Sequence, residues 1–491
     1  MVNLFPEIVP EGGKESAFLS RTPGLRKLAT YGNGPIRGMW QFGEYCYVVS
    51  GQALYRVDKN WVGMLLGTVD GTGPVSMASN THQVMLATDP NGYIYDVNTQ
   101  VFSQIPIGQF LGAKVVSYIS PGYFVVMTPN SSQFQISNLG DGTVWDPLDI
   151  STVDASPDAL VSLITDHNEL WLLGTDSVEV WYFDGNSDFP FTHIQGAFNE
   201  IGCAATYSLA KMDNCIYWLG SDARGAGIVY RSQGYTGKRV STHSVEWQIQ
   251  QYGDISSAVA YTYQQDGHQF YVLTFPSAGT TWVYDVSTDA WHERAGFADG
   301  VFARHRSNCQ AAFADEVIIG DYLNGNVYAL DLQYHQDDGS TQKWLRSWRA
   351  LPSGHNDLKR TAHHSLQLDC ETGVGVGNVY APSIDSRYIV TELLKRLLTE
   401  ASDYITTENQ GQYLVPSTPN VMLRWSDDGG HTWSNEHWRS MGKIGEYFYR
   451  VIWRRLGMAI KLRDRVYEVS GTDPVKIYIM GAELFITPTA S

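Results

Sequence analysis

The chain has 491 residues and a formal net charge of −17. This length is too great for one simple core and predicts two or three domains, or one large repeat domain and a smaller one. The acidic balance disfavours a sequence-specific DNA-binding protein, which usually carries a basic surface. The 29 Tyr, 15 Trp and 47 Gly predict a β-rich protein, because Tyr and Trp favour strands and Gly favours turns.

The cysteine pattern and the lengths of the apolar runs indicate where the protein is made and whether it crosses a membrane. The five cysteines are scattered and form no C-x-x-C pair, so reduced thiols and synthesis in the cytoplasm are expected. The start of the chain lacks the pattern of a signal peptide. Because no apolar run reaches about 18 residues, no membrane span is expected either.

Residues 1–35 are predicted to form an extended N-terminal segment, and a repeated module follows over residues 36–333. The module recurs roughly every 35–45 residues, the range of four-stranded propeller blades. Each copy has an apolar strand, a turn, an aromatic strand and an Asp or Asn turn. Clear copies lie at 84–96, 170–182, 270–291 and 317–331, and weaker ones lie at 45–57, 123–136 and 215–230. The pattern predicts an all-β fold with a six- or seven-bladed β-propeller; an array of β-sandwiches is the alternative.

A polar stretch over residues 334–360 indicates a boundary, and residues 334–491 are predicted to form a small antiparallel β-sandwich or platform domain. One helix is expected as an insertion at about residues 386–407. Its apolar stripe includes Ile389, Leu393, Leu397 and Leu398. The stripe packs on its own domain or serves as a docking helix for another subunit, and the sequence leaves both open.

A single Asp-box lies in this domain, formed by Ser426, Asp428, Gly430, Thr432 and Trp433. In sialidase-like propellers this motif is a hairpin turn, in which the Ser and Asp side chains bind backbone amides of the turn and the Trp packs beneath. It is a folding device away from catalytic centres. One copy outside the propeller does not indicate a sialidase.

A basic segment between Arg439 and Arg465 carries eight basic residues against Glu446 and Asp464, locally +6 in an acidic chain. We expect it to be a seam against an acidic neighbouring subunit. Nonspecific phosphate contact and an internal role are the alternatives. The candidate inter-subunit contacts are Arg450, Arg454, Arg455, Lys461, Arg463 and Arg465.

No catalytic residue, cofactor site or metal ligand is predicted. The histidine cluster contains His355, Asp357, His363 and His364, and the adjacent His363 and His364 would point to opposite faces of a strand rather than converge. Carboxylates that could act as a glycosidase pair are scattered, and their spacing singles out none of them. They are Asp89, Asp176, Glu179 and Asp285.

Three segments together resemble the packaged-DNA stabilisation proteins of short-tailed bacteriophages, also called tail accessory factors, tail hubs or nozzles. Ser20-Arg21-Thr22-Pro23-Gly24-Leu25 with Ile36-Arg37-Gly38-Met39 is similar to the family's entry into its propeller. Leu366-Gln367-Leu368-Asp369 and Leu423–Gly430 resemble its C-terminal sheet, and Trp453-Arg454-Arg455-Leu456-Gly457 resembles a strand of that sheet. The order of these motifs is the main support for the resemblance.

The resemblance implies a structural protein rather than an enzyme. It implies a ring of six copies in the virion tail, assembled in the host cytoplasm, below the tail adaptor (head-to-tail connector) proteins on the portal. Such a ring would extend the channel for double-stranded DNA, retain packaged DNA without binding it specifically, and attach a needle or plug and the tailspikes or fibres. The alternative is a carbohydrate-binding or sialidase-like propeller that acts on host surface glycans.

Overall fold

The computed structural model describes residues 1–9, 16–153, 158–222, 225–349, 360–375, 379–381, 413–415, 418–459 and 465–488. These residues form two compact units. The first comprises Val2–Phe5 and Thr22–Gln342; the second comprises Met1, Pro6–Arg21 and Lys343–Ser491. Among the described residues, no helix is long and apolar enough to cross a membrane. The helix expected at residues 386–407 lies outside the described residues.

The first half of the propeller consists of four four-stranded antiparallel sheets. The strands that precede them are β1 (Leu4–Ile8), β2 (Ala17–Arg21) and β3 (Gly24–Thr30). Blade one is β4 (Ile36–Phe42), β5 (Tyr45–Ser50), β6 (Ala53–Val57) and β7 (Gly63–Thr68), and blade two is β8 (Ser76–Ser79), β9 (Gln83–Ala87), β10 (Gly92–Asp96) and β11 (Val101–Gln104). Blade three is β12 (Val116–Ile119), β13 (Tyr123–Met127), β14 (Gln133–Asn138) and β15 (Asp141–Thr152), and blade four is β16 (Leu160–Asp166), β17 (Glu169–Gly174), β18 (Val178–Phe183) and β19 (Phe191–Asn199).

Three further blades complete the propeller. Blade five is β20 (Gly202–Cys203), β21 (Ala210–Met212), β22 (Cys215–Asp222), β23 (Gly225–Gln233) and β24 (Thr236–Arg239), followed by helix α1 (His243–Gln250). Blade six is β25 (Val259–Gln265), β26 (His268–Phe275), β27 (Thr280–Asp285), β28 (Ala290–Ala298) and β29 (Val301–Arg304). Blade seven contains β30 (Ser307–Phe313), β31 (Glu316–Asp321) and β32 (Asn326–Asp331), with the short strands β33 (Gln336–Asp337) and β34 (Ser340–Thr341).

A strand from the start of the chain completes blade seven. Strand β3 pairs antiparallel with β32, so that Leu25 lies opposite Leu330. Arg26 on β3 forms ion pairs with Glu316 and Asp331 of the same blade, at 2.6 and 2.7 Å. The last blade is therefore closed by residues about 300 positions earlier, and the described residues contain seven blades rather than six.

Hydrogen bonds join the innermost strands of neighbouring blades all the way round the ring. Starting from blade one, they connect Trp40 with Ser79, Ser76 with Val116, Ser117 with Thr165, Lys211 with Thr165, Thr262 with Lys211, Tyr261 with Ser307 and Asn308 with Ile36. Because the last of these bonds returns to blade one, the seven blades form a closed ring without a free innermost edge.

A separate apolar core fills each of the seven spaces between neighbouring blades. The alternation of side chains along the strands produces this arrangement, since successive residues face the two adjacent blades. In blade six, for example, Val272 faces blade seven, whereas Tyr271 and Leu273 face blade five. Burying one such side chain fully contributes about 1.5–3 kcal/mol, so the stacking of the blades is the main source of stability in this unit.

Two motifs quoted from the sequence have structural roles at the propeller entry. A Cβ atom at Gly24 would approach the carbonyl oxygens of Tyr334 and Gln336 to 2.0 and 2.5 Å, so only glycine fits this position. The buried Arg37 guanidinium donates to the carbonyl oxygens of Gly73 and Gly51, at 2.6 and 2.9 Å. These contacts hold the strands at which the propeller starts and ends.

The second unit is a β-sandwich. One sheet has the order β1-β2-β43-β36-β41 and the other has the order β35-β42-β39-β40. Their strands are β35 (Trp344–Arg349), β36 (Thr361–Cys370), β39 (Asn420–Ser426), β40 (His437–Ser440), β41 (Val451–Arg454), β42 (Val466–Gly471) and β43 (Tyr478–Pro488), and β37 (Val379–Ala381) pairs with β38 (Tyr413–Val415). The Tyr467 hydroxyl on one sheet lies 2.8 Å from His363 Nδ1 on the other, which shows that the sheets pack face to face.

The fold agrees with the predicted propeller and sandwich, and it differs in two respects. Residues 1–35 are not a segment of their own, because β2 pairs with β43 of the sandwich and β3 joins blade seven. The repeats also contain a helix, α1, which the predicted pattern of strands and turns does not include. Thr242 caps its first turn, and the buried Glu246 accepts from the Arg239 guanidinium and the Ser241 hydroxyl.

Candidate functional site

The propeller encloses an axial cavity of about 480 Å³ that is lined by the innermost strands of all seven blades. Many of its hydroxyl groups bind neighbouring blades. Ser162 donates to the Thr206 carbonyl oxygen at 2.7 Å, and Ser117 donates to the Thr165 hydroxyl at 2.8 Å. These hydroxyl groups are thus partners in the ring closure rather than free groups that face a ligand.

The charged residues in the wall of this cavity are Arg37 and Lys211, and no carboxylate stands among its described lining residues. Arg37 is committed to backbone carbonyl oxygens, and Lys211 Nζ lies 2.7 Å from the Thr165 carbonyl oxygen. A glycosidase needs two carboxyl groups that face each other across the substrate. The described wall does not supply such a pair.

The scattered carboxylates occupy turns and strand edges instead. Asp285 is buried and accepts from His268 and from the Ser287 amide and Thr288 hydroxyl of the turn that follows β27. Glu179 accepts from the Trp181 indole at 3.1 Å. Asp176 donates its amide to Asp158, and Asp89 donates its amide to the Ala113 carbonyl oxygen. Each of these contacts supports local structure.

The adjacent His363 and His364 lie on opposite sides of β36. His363 is buried between the Tyr467 and Thr361 hydroxyls, and this burial, reinforced by the positive charge of Arg465, lowers its pKa to about 4. His364 is exposed and contacts Thr487. His355 lies outside the described residues, and no group of metal-binding side chains was found within them.

The Asp-box forms a closed turn after β39. Asp428 accepts from the amides of His431 and Thr432, both at 2.9 Å, and from the Thr432 hydroxyl at 2.6 Å. The Ser426 hydroxyl, which donates to Asp428 at 2.6 Å, and the bonds from Thr432 and His431 stabilise the charged carboxylate and lower the pKa of Asp428. The Gly430 amide donates to the Ser426 hydroxyl. The Arg424 guanidinium carbon lies 4.6 Å from the centre of the Trp433 ring, so the two side chains stack. The motif fixes the shape of this hairpin.

Arg465 of the basic segment is buried inside the sandwich. Its guanidinium contacts both carboxylate oxygens of Asp427 at 2.5 and 2.8 Å, and it donates to the carbonyl oxygens of Leu456 and Met458 at 2.7 and 3.0 Å. With only 3% of the residue exposed, Arg465 is committed within its own unit. We therefore leave it out of the docking surface defined next.

Arg450, Arg454 and Arg455 are exposed, and none of them forms an ion pair with another described residue. Arg454 and Arg455 lie at the end of β41, where the buried Trp453 and Leu456 on either side anchor the strand. Lys461 and Arg463 fall outside the described residues, as do Ile389, Leu393, Leu397 and Leu398 of the expected docking helix.

An exposed aromatic loop precedes these arginines, and the sequence analysis did not single it out. Phe448 is 99% exposed and Tyr447 is 70% exposed, with Ile444 and Tyr449 beside them. The loop backbone is held in place, since the Gly445 amide donates to Gly373 and the Lys443 amide donates to the Glu446 carboxylate. The run Tyr447-Phe448-Tyr449 beside Arg450 was the available signal. We call the aromatic loop and the three exposed arginines the docking surface.

Comparison with protein families gave two matches. Residues 1–335 match the family model described as bacteriophage P22 Gp10, beta-propeller, and residues 402–487 match the one described as bacteriophage P22 Gp10, beta-sandwich. Together these matches extend over most of the chain, in the same order as the two folded units. Among curated proteins, the comparison found no match.

Solved propeller structures are similar at low identity. The WD40 domain of Pan2 from Neurospora crassa matches with a TM-score of 0.38 and 10% identity, covering 60% of this chain and 89% of that one. Virginiamycin B lyase from Staphylococcus aureus matches with a TM-score of 0.41 and 8% identity, covering 62% and 97%. Scores this low carry no argument about what the present chain does.

Proposed function

This chain belongs to the bacteriophage P22 Gp10 family of tail nozzle and DNA-stabilisation proteins, and we propose that six copies of it form a ring at the distal end of a short virion tail. The observation that carries the proposal is the pair of family matches, one to each folded unit. In this proposal the ring is assembled in the host cytoplasm, below the adaptor proteins on the portal, and it bears a needle or plug and the tailspikes.

The DNA channel of such a tail would run between the copies and not through a propeller. A cavity of about 480 Å³ has the size that holds a small molecule. A DNA duplex is far larger, because its major groove alone admits an α-helix. Passage of DNA along a continuous channel therefore requires several copies arranged around a common axis, which supports a ring.

The proposed role of the ring is mechanical. It retains packaged DNA under pressure and lets the DNA pass when the plug leaves, without binding it specifically. The net charge of −17 suits this role, because acidic walls repel phosphate and prevent adhesion. We expect the channel-facing surface of the ring to be more acidic than its outer surface. A basic channel wall in a structure of the assembled tail would contradict this.

The docking surface provides the contact by which we propose that the sandwich binds an acidic neighbour, namely the adaptor ring. Phe448 and Tyr447 offer exposed aromatic area, and aromatic side chains are enriched at protein interfaces. Arg454 and Arg455 supply charge beside them. Aromatic anchors with arginines around them form the kind of patch in which a few residues carry most of the binding energy.

The test is a deletion of the gene in the source phage, complemented with variants and followed by electron microscopy and DNA quantitation. Packaged but leaky heads with a portal stump and no lower tail support the proposal. Heads that keep their DNA and carry a complete tail contradict it and favour the glycan-acting alternative. Complementation with Arg454→Glu or Arg455→Glu should fail to restore tails, whereas Lys27→Glu, which reverses one exposed charge on the propeller, should restore them.

A further inference from the structure

The negative charge of the chain is concentrated in blades three and four. Residues 115–210, which comprise these two blades and the start of blade five, contain twelve Asp and Glu residues and neither Lys nor Arg. Since Lys and Arg make up 34 of the 491 residues, about seven of them would be expected in a segment of this length. Residues 22–114, which contain blades one and two, have a net charge of +1. We call residues 115–210 the acidic sector.

Ten of the twelve carboxylates reach the protein surface. They are Asp141, Asp146, Asp149, Asp158, Asp166, Glu169, Asp176, Asp184, Asp188 and Glu200. Of the other two, Glu179 is buried and Asp154 lies outside the described residues. The ion pairs of the described residues join none of the ten to a Lys or an Arg, and one of these pairs links Asp166 to His167. Burial and the negative charge of the nearby Asp146 raise the pKa of Asp149.

Five of these carboxylates lie along one face of the two blades. Asp166 lies opposite Glu169 at the turn between β16 and β17. Asp184 and Asp188 lie in the turn between β18 and β19, at the same end of blade four, because the strands of an antiparallel sheet alternate in direction. A hydrogen bond of 3.1 Å joins the β12–β13 turn of blade three to the β16–β17 turn. Asp141 begins β15 at that end of blade three, so the five carboxylates share one face.

The lack of basic residues goes further than solubility requires. Soluble surfaces usually intersperse charges of both signs, and net charge alone keeps molecules apart. A surface along which DNA must slide has a stricter requirement. Each Lys or Arg on it could hold a phosphate at short range, even where the net charge is negative. A sector with many exposed carboxylates and no basic side chain meets this requirement.

We propose, building on the tail function proposed above, that the acidic sector is the side of the propeller that faces the DNA path in the assembled ring. There the unpaired carboxylates repel the phosphates of passing DNA over a distance of about 8–10 Å, and the DNA moves without adhering. A basic tail protein seated on the sector is the alternative, since it would neutralise the same carboxylates.

Electron cryomicroscopy of tails assembled from the unchanged chain tests the proposal directly. The expected result is that the exposed carboxylates of the sector line the channel and contact no other protein. A sector that faces the outer solvent, or that another tail protein covers, overturns the proposal. Either of these results leaves the ring in place, so it is distinct from a failure of the proposed tail function.

Charge reversal in complemented phage gives a second readout. The double variant Asp184→Lys with Asp188→Lys changes two exposed carboxylates of the sector, and Glu44→Lys with Asp254→Lys is the matched control outside it. Both should restore tails that retain DNA. The sector variant should deliver labelled DNA into host cells several-fold more slowly than the control, and added salt should reduce the difference, because phosphate contacts weaken with salt. Equal delivery at low salt, or a loss of tails in the sector variant alone, would overturn the proposal.

Discussion

Replacement of Arg465 by Met should destabilise the sandwich unit by about 3–4 kcal/mol. The change removes a buried guanidinium that makes two contacts with Asp427 and two with backbone carbonyl oxygens. Breaking a buried pair from one side costs about 3–5 kcal/mol, because the remaining charge keeps its desolvation penalty. The side chain of Asp427 is 23% exposed, so water relieves part of this penalty, and the expected value lies in the lower part of that range.

Two companion variants separate the physical causes. Arg454→Met removes an equal charge from an exposed position and should change the unfolding free energy by less than about 0.5 kcal/mol. Asp427→Asn added to Arg465→Met should recover about 1 kcal/mol, since it removes the unpaired charge but leaves the carbonyl oxygens of Leu456 and Met458 without a donor.

Urea unfolding of the full chain, followed by circular dichroism and tryptophan fluorescence, is the assay. Two units can unfold in separate transitions, and only one transition should move in the Arg465 variants. If Arg465→Met loses no more stability than Arg454→Met, the assignment of Arg465 to the interior of the sandwich is refuted.

Three other outcomes are expected. Leu25→Ala should destabilise the propeller by about 3 kcal/mol, because Leu25 is fully buried in the strand that closes blade seven. Leu148 is 82% exposed, so Leu148→Ala should have almost no effect. Equal unfolding midpoints for the two variants would contradict the closure of blade seven by β3. The pKa of His363 is lowered to about 4 in the folded state, from 6.5 in the unfolded state. The stability that neutral His363 contributes to the sandwich is therefore complete above pH 6.5 and is lost as the pH falls from 6.5 through 4. The loss should total about 3 kcal/mol, and His363→Gln should flatten that part of the pH–stability profile; parallel profiles would argue against a buried neutral His363. Because Phe448 is 99% exposed, Phe448→Ser should leave the melting temperature unchanged, but it should reduce tail attachment in complemented phage. Tail attachment at the parental level would show that Phe448 is not part of the docking surface.

The blades could be predicted from the sequence because their signals are local. In blade two, Asn91-Gly92 joins β9 to β10. The apolar run Val84–Ala87 marks β9, and the alternation of aromatic and aliphatic residues in Tyr93-Ile94-Tyr95 marks β10. The number of blades could not be fixed in the same way. Blade seven needs β3, whose partner β32 lies about 300 residues later, and no local pattern reports that pairing.

The polar residues in the interior were harder to predict. On β28, His292 and Arg294 are buried, whereas the neighbouring Trp291 and Glu293 are only partly buried. Arg465 likewise belongs to a basic run, and its role is set by Asp427, 38 residues earlier. Composition and periodicity give no information about such partners, because the contacts exist only after the sheets pack.

The position of β3 has a consequence for the order of events during synthesis. The ribosome releases Gly24–Thr30 early, but their pairing partner in Asn326–Asp331 emerges only after six blades have left the exit tunnel. Until then, the edge of β32 is absent and Leu25 has no core to enter. The apolar strand β3 must therefore stay unpaired while the intermediate blades fold and stack. During this period, chaperone binding or pairing with another nascent copy competes with closure of the ring.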